Sequence, residues 1–481
     1  MKKIIFFIAL IYLSIETFGQ LPPIVEFDKV ITVGNNIIEI PLDDFTIIET
    51  PQTPAGTINR RVYFIHGLGG DASAWVKVAN AFENPNLNIS GFPARKVETS
   101  LINYSYYAEG DLRFSANKVR NDIRNQASHD FLDYGMIPSD AFIIAHSQGG
   151  LVSRTLLHID FIEDINNRPP FGVGYGGLVT VASPLQGAMI LNKRDDILIM
   201  AEKACVSLIA GPTSENPIAL NLIENIINKI GKTNDGIDGA CHIVTHGLLP
   251  IFFADYYDAI TEYYKVGAPW INTLNEDAND ATYCNMPKVA FYGVEPKENI
   301  FWRTVNWFTT DPNSVDYFAA NNDLDFYYSF ILPEYNRYVK KTNDYQAKAD
   351  KAMKAYKCQI WWNRIGALIS LGCYNNYYKK RTAWYKGVQF FWTVNEEWET
   401  IIGARVYDKY PNNPSVPSYT YYPNDGVVLQ KSAADLPCAT NEPVELYNSS
   451  HMQIRNDENI KIHMKKLLDG QYGDFFETKI K

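Results

Sequence analysis

Asp140-Ala141-Phe142-Ile143-Ile144-Ala145-His146-Ser147-Gln148-Gly149-Gly150-Leu151-Val152-Ser153-Arg154 is the stretch on which the reading of this chain turns. A short apolar run stops abruptly at a small-polar-small turn, and a helix-like segment begins at once. That is the pattern of a buried parallel strand feeding a sharp turn into a helix. A strained turn of this kind lifts the side chain at its tip, Ser147, clear of the sheet and leaves room for a base beside it. The flanking positions must be small because strand and helix pass close together there.

The pattern resembles the nucleophile elbow of the α/β-hydrolases, in detail the lipase and esterase branch. The usual form is Gly-x-Ser-x-Gly, and here Ala145 stands at the first glycine, still a small residue. The longer match, His146 to Arg154, is more specific than the five-residue pattern. The resemblance implies a mostly parallel sheet flanked by helices, with Ser147 as nucleophile.

Working outward, Arg61 to Ile65 reads as a strand that ends in His66-Gly67-Leu68-Gly69-Gly70. Glycines let a loop turn its backbone N–H groups toward a developing oxyanion. The motif resembles the oxyanion loop of lipases. By that resemblance the N–H groups of Leu68 and Gln148 form the oxyanion hole, and His66 is a structural residue of the loop. Val97 to Tyr104 reads as the next strand, and Phe114, Val119, Ile123, Ala127 and Phe131 recur at helical spacing. Leu178 to Ala182 is another buried strand, running into Ser183-Pro184-Leu185-Gln186-Gly187, a stretch that lipases also carry after the elbow. Alternating strands and helices make a parallel sheet with crossover helices.

Near the end, Asn424-Asp425-Gly426-Val427-Val428 resembles the acid loop of secreted lipases, and His451 follows a last strand, Val444 to Tyr447. Ser147, Asp425 and His451 keep the order Ser, Asp, His of the fold. A serine hydroxyl needs a base within reach, and the base needs a carboxylate to hold its tautomer. Glu295 rivals Asp425 because it ends the strand Lys288 to Val294 and could also point at the rim; His463 rivals His451 but sits within a helix.

The chain is expected to run as a signal peptide (residues 1–19), a first core part (20–187), a cap insertion (188–284), a core strand (285–296), an aromatic-rich insertion (297–420) and a last core part (421–481). Lys2 and Lys3 precede an apolar run, Ile4 to Leu13, too short to span a membrane, so an exported, secreted or periplasmic protein is expected. Six cysteines in an exported chain favour disulfides, with Cys205–Cys241 and Cys358–Cys373 expected as local pairs. The net charge of −10 and the lack of a long basic run argue against nucleic acid. Tyr, Trp and Phe make up 14% of residues, read either as packing or as an amphipathic wall around an apolar substrate.

No cofactor is expected. His242 and His246 share i, i+4 spacing but lack the glutamate of a zinc helix, and Asn234 to Asp238 and Asn322 to Asp325 miss a calcium-loop spacing, so a structural calcium has no assignable place. The implied function is hydrolysis of a lipid or other small-molecule ester, with transient contact at a lipid interface. An amidase, thioesterase, acyltransferase or lipid-anchor deacylase would use the same three residues. A non-catalytic binding protein on this scaffold, or an adhesin using the aromatic insertion, are the readings from other classes.

Overall fold

The computed structural model describes residues 30–33, 36–39, 47–49, 60–83 except 69, 97–104, 111–163 except 135, 174–193, 196, 263–296, 300, 332–408 and 418–477 except 456. The expected signal peptide, Cys205, Cys241, His242, His246 and both acidic loops lie outside these residues. The chain divides into two compact units: one holds Pro23–Lys193, Tyr256–Asp323 and Glu399–Lys481, the other Met1–Pro22, Arg194–Asp255 and Leu324–Trp398.

The first unit is built on strands β1 (Val30–Val33), β2 (Asn36–Glu39), β3 (Ile47–Glu49), β4 (Arg60–Ile65), β5 (Val97–Ile102), β6 (Phe142–His146), β7 (Gly177–Val181), β8 (Lys288–Val294), β9 (Arg405–Tyr407), β10 (Tyr419–Tyr421) and β11 (Val444–Tyr447). The main sheet has the order β11-β8-β7-β6-β4-β5-β3. Its first six strands pair in parallel, and β3 closes the edge antiparallel to β5. Every residue of β6 and β7 is buried, as expected of strands covered on both faces.

Alternation sorts the strand residues into two cores. Val62, Phe64, Phe142, Ile144, Val179 and Val181 pack on one face with Trp75, Phe82 and the late helix Glu458–Leu468. Tyr63, Ile65, Ile143, Ala145 and Leu178 pack on the other with Val119 and Ile123 of helix Leu112–Tyr134 and Leu151 and Val152 of helix Gln148–His158. The buried stripe of the first of these helices runs Leu112, Ala116, Val119, Ile123, Ala127. Phe114 and Phe131, expected at the ends of that stripe, are exposed. At about 100° per residue Phe114 points to the far side of the helix from Leu112.

Sheet order also fixes where a site can form. The chain enters at β4, moves out to β5, then returns to the other side of β4 as β6. The strand order reverses there, and a crevice opens beyond the strand ends. His66 follows β4 and Ser147 follows β6, so both loops sit at that reversal.

Two observations concern the insertions. Ile271 and Leu274 of helix Pro269–Glu276, with Tyr264, Tyr283 and Met286, belong to the core that holds the elbow helix. Their apolar pattern reads alike in a cap or a core. In the second unit, much of the aromatic-rich stretch forms two long helices, Leu332–Gln359 and Arg364–Ile401. They pair as a hairpin: Tyr338 meets Trp384 with ring centroids 5.1 Å apart, Tyr335 meets Trp392 at 6.2 Å, and Gln359 Oε1 accepts from Ser370 Oγ.

That register overturns the Cys358–Cys373 pair. The residue facing Cys358 lies near Ser370, Cys373 is most of a turn further on, and both thiols are free and exposed. Cys284 instead joins Cys438, 154 residues away in sequence, with Cα atoms 5.1 Å apart.

Candidate active site

Ser147 sits between the last residue of β6 and helix Gln148–His158 with φ 51° and ψ −123°. A residue other than glycine at positive φ costs about 1–3 kcal/mol and persists only where its surroundings hold it. The hold is visible: Ser147 N–H donates to the Val181 carbonyl at 2.9 Å, and the Ser147 carbonyl accepts from Gly150 N–H at 3.0 Å.

The small residues around it are required by contact. A methyl group at Gly149 would lie 2.5 Å from the His66 carbonyl oxygen and 2.9 Å from that of Ile65. One at Gly150 would lie 2.1 Å from Ser183 Oγ of the Ser-Pro stretch, so glycine is required there. One at Gly67 would lie 2.9 Å from both Ser147 Cβ and His146 Nδ1, so the glycine-rich loop rests directly against the elbow. Ala145 is a buried strand residue paired with Ile65 and Thr180, where a methyl group fits. Gly149→Ala is therefore expected to destabilise the protein by roughly 3 kcal/mol or more, because backbone oxygens cannot move aside. A urea midpoint equal to the parent's would refute this.

The structure brings the three sequence-predicted residues together. His451 Nδ1 lies 2.8 Å from Asp425 Oδ2, and His451 Nε2 lies 2.9 Å from Ser147 Oγ. With a carboxylate at Nδ1 the ring proton belongs there, and Nε2 is left to accept from the serine hydroxyl. The backbone reinforces the pair, since His451 N–H donates to the Asp425 carbonyl at 2.8 Å. Asp425 is set by its own turn: Oδ1 accepts from the N–H groups of Val427 at 3.0 Å and Val428 at 2.7 Å. All three members lie in loops that follow strands or adjoin them, where short local turns aim each side chain.

The rivals fall elsewhere. Glu295 N–H donates to the Asn424 carbonyl at 2.7 Å, so it borders the acid turn, but both ring nitrogens of His451 are already engaged. His463 stacks on Tyr472, and burial pushes its pKa down to about 4.

Three positioning side-chain contacts were not legible beforehand. His146 Nε2–H donates to the His451 carbonyl at 2.7 Å, tying the elbow to the loop of the base. Burial, then the charges of His451 and Arg455, hold its pKa well below the ordinary value. Tyr104 stacks on His66 at 4.2 Å and donates through its hydroxyl to the His66 carbonyl at 2.7 Å. Gln148 Nε2 donates to Tyr264 Oη at 2.8 Å, which fixes the residue after the nucleophile. An aromatic residue just after a parallel strand, as at Tyr104, is the one sequence signal for any of them. Arg154, the last residue of the elbow motif, is buried and donates to the carbonyls of Leu185 at 2.9 Å and Leu274 at 2.7 Å.

His66 acts as a loop brace. Tyr104 N–H donates into Nε2 at 3.2 Å, so the ring proton sits on Nδ1 and donates to the Gly67 carbonyl at 2.8 Å. Burial above all pushes its pKa down to about 4. The unfolded ring binds a proton near pH 6.5 and the folded ring does not. The unfolded state thus holds more protons between these values, and stability falls as the pH drops through them. His66 alone is expected to remove about 2–3 kcal/mol between pH 7 and 4.5. Urea midpoints at the two pH values check this; His66→Asn should flatten the dependence, and an unchanged slope in that variant would refute it.

Among the described residues no group of His, Cys, Asp or Glu is arranged to hold a metal ion.

No protein-family profile matches the chain, and no curated protein matches its sequence. Solved structures do match. Phospholipase PlaB from Legionella pneumophila is 14% identical over 49% of this chain and 40% of its own, with a TM-score of 0.29. The peroxisomal α/β-hydrolase Lpx1 from Saccharomyces cerevisiae is 10% identical over 51% and 66%, with a TM-score of 0.26. YbtT, the type II thioesterase of the yersiniabactin pathway, is 16% identical over 55% and 84%, also at 0.26. This chain spans less than half of the phospholipase's length. Likenesses so distant say nothing of substrate. The strand order and the strand–turn–helix at Ser147 themselves define an α/β-hydrolase fold.

Proposed function

We propose that this protein is a serine hydrolase that cleaves carboxylic esters by two-step acyl transfer, with lipid or other apolar acyl esters as first substrates. The observation that carries this reading is the unbroken hydrogen-bonded run Asp425–His451–Ser147. Ser147 Oγ attacks the ester carbonyl while His451 Nε2 takes its proton. Asp425 holds the imidazole in the right tautomer and stabilises the imidazolium. The oxyanion is received by the N–H groups of Gln148, at the N-terminus of its helix, and Leu68, in the loop against the elbow. His451 returns the proton to the leaving alcohol, an acyl-enzyme remains, and water activated by His451 releases the acid. The scheme uses no cofactor.

Export is part of the proposal, supported by the leader-like residues 1–19 and by the Cys284–Cys438 disulfide, a bond that persists in oxidising compartments.

A fluorophosphonate probe tests the reading without presuming a substrate. Labelling mapped to Ser147 and lost in His451→Ala is the expected result, after which esters, thioesters and amides of matched acyl chains rank the leaving group. A folded protein left unlabelled at Ser147, with and without mild detergent, would end the hydrolase reading.

A further inference from the structure

The helical hairpin ends in an apolar tip. Trp361 is 91% exposed, Trp362 73%, Ile365 75%, Leu368 68% and Ile369 64%. Single exposed apolar side chains are ordinary, but a contiguous group of large ones marks an interaction surface. Ile365, Leu368 and Ile369 stand at i, i+3 and i+4 and so form one stripe of the second helix. The tryptophans extend it across the turn.

The turn is ordered by its own bonds. Asn363 N–H donates to the Gln359 carbonyl at 2.8 Å, and Asn363 Oδ1 caps the second helix by accepting from Gly366 N–H at 2.9 Å. Trp362 Nε1–H donates to the Cys358 carbonyl at 2.7 Å, so its one polar group is satisfied while the ring remains outside.

Charge identifies what the tip faces. From Lys351 to Asn395 there is no Asp or Glu, yet there are eight Lys or Arg residues, in a chain whose net charge is −10. Lys354, Lys357 and Arg364 are exposed and border the tip. Lys357 lies in the last turn of the first helix, four residues before Trp361.

We propose that this tip docks the protein on an anionic phospholipid bilayer. Trp361, Trp362, Ile365, Leu368 and Ile369 enter the boundary between headgroups and acyl chains, and Lys354, Lys357 and Arg364 stay at the phosphates. Tryptophan with aliphatic side chains, rimmed by long cations, suits a surface that is wet on one side and hydrocarbon on the other. A basic rim is drawn to an anionic leaflet within roughly a Debye length. A second copy of the tip is a poor partner, because pairing would bring two cationic rims together. Nucleic acid would leave the aliphatic stripe without a counterpart. No helix among the described residues is long and apolar enough to cross a membrane. The inference uses none of the elbow's residues and stands or falls without the hydrolase reading.

Flotation of the full chain with lipid vesicles tests it, using Ser147→Ala protein so that chemistry at the elbow does not enter the readout. Flotation is expected with phosphatidylglycerol–phosphatidylcholine vesicles and at least about tenfold more weakly with phosphatidylcholine alone. Trp361→Ala with Trp362→Ala, and separately Lys354→Glu with Lys357→Glu and Arg364→Glu, are each expected to weaken it by about tenfold or more. Circular dichroism confirms that each variant keeps its helices. Absence of flotation on anionic vesicles, or flotation unaffected by either set, overturns the proposal. A concentration-dependent dimer that the tryptophan substitutions dissolve also overturns it, by making the tip a self-interface.

Discussion

Ser147→Ala is expected to lower kcat on a short-chain chromogenic ester by about 10⁴- to 10⁶-fold. The substitution removes the nucleophile and little else. Alanine takes the elbow's positive φ no worse than serine does: Ala182, just after β7, already has φ 50°. His451 keeps its bond to Asp425, and the buried residues beneath the elbow are untouched. The thermal midpoint should therefore stay close to the parent's while turnover collapses. The double variant Ser147→Ala with His451→Ala should be hardly slower than the single, because a base has nothing to activate once the hydroxyl is gone. The residual rate, about 10³-fold over water, would come from ester binding and the oxyanion donors. A loss under tenfold for Ser147→Ala, or losses that multiply in the double variant, would remove Ser147 from the chemistry.

What the sequence reveals here depends on how local the physics is. The elbow is legible because its strand, its strained tip and the glycines at 149 and 150 are contiguous, and each glycine answers a contact within the motif or with the adjoining strand. Asp425 is legible because its carboxylate closes its own turn onto Val427 and Val428. His451 follows a strand and needs only the parallel pairing of β11 with β8 to reach the rim. The bond from His146 to the His451 carbonyl joins residues 305 positions apart, and no periodicity announces it.

The same holds for the disulfide, where nearness in sequence points to Cys358 and Cys373 while the fold joins Cys284 to Cys438. The two long helices are hard to read for another reason. Arg364–Ile401 carries apolar side chains both on the face that packs within the hairpin, as at Trp384, and on the face left exposed at its tip, as at Ile365 and Leu368. A helix that is apolar on more than one side loses the 3.6-residue contrast by which helices are recognised.

Asp425→Asn is expected to lower kcat by about 10⁴-fold with almost no loss of stability. The turn decides how the amide sits. Val427 and Val428 both donate N–H groups to Oδ1, so the amide oxygen must occupy that side. The amide nitrogen then replaces Oδ2 and faces His451 Nδ1 at the present 2.8 Å. It can only donate, which forces the imidazole proton from Nδ1 to Nε2. Nε2 would then point an N–H at Ser147 Oγ and could not accept its proton, so the base is disabled by exchanging one oxygen for an amide nitrogen. Asp425→Ala would lose the same catalysis but also strand two N–H donors, at a cost of about 1–3 kcal/mol each where they are buried. The separation of turnover from thermal midpoint in the Asn variant therefore distinguishes a tautomer effect from damage to the turn. Glu295→Gln serves as the comparison: with both nitrogens of His451 already engaged, kcat should stay within a few-fold of the parent. A large loss at Glu295 and a small one at Asp425 would exchange the roles of the two carboxylates.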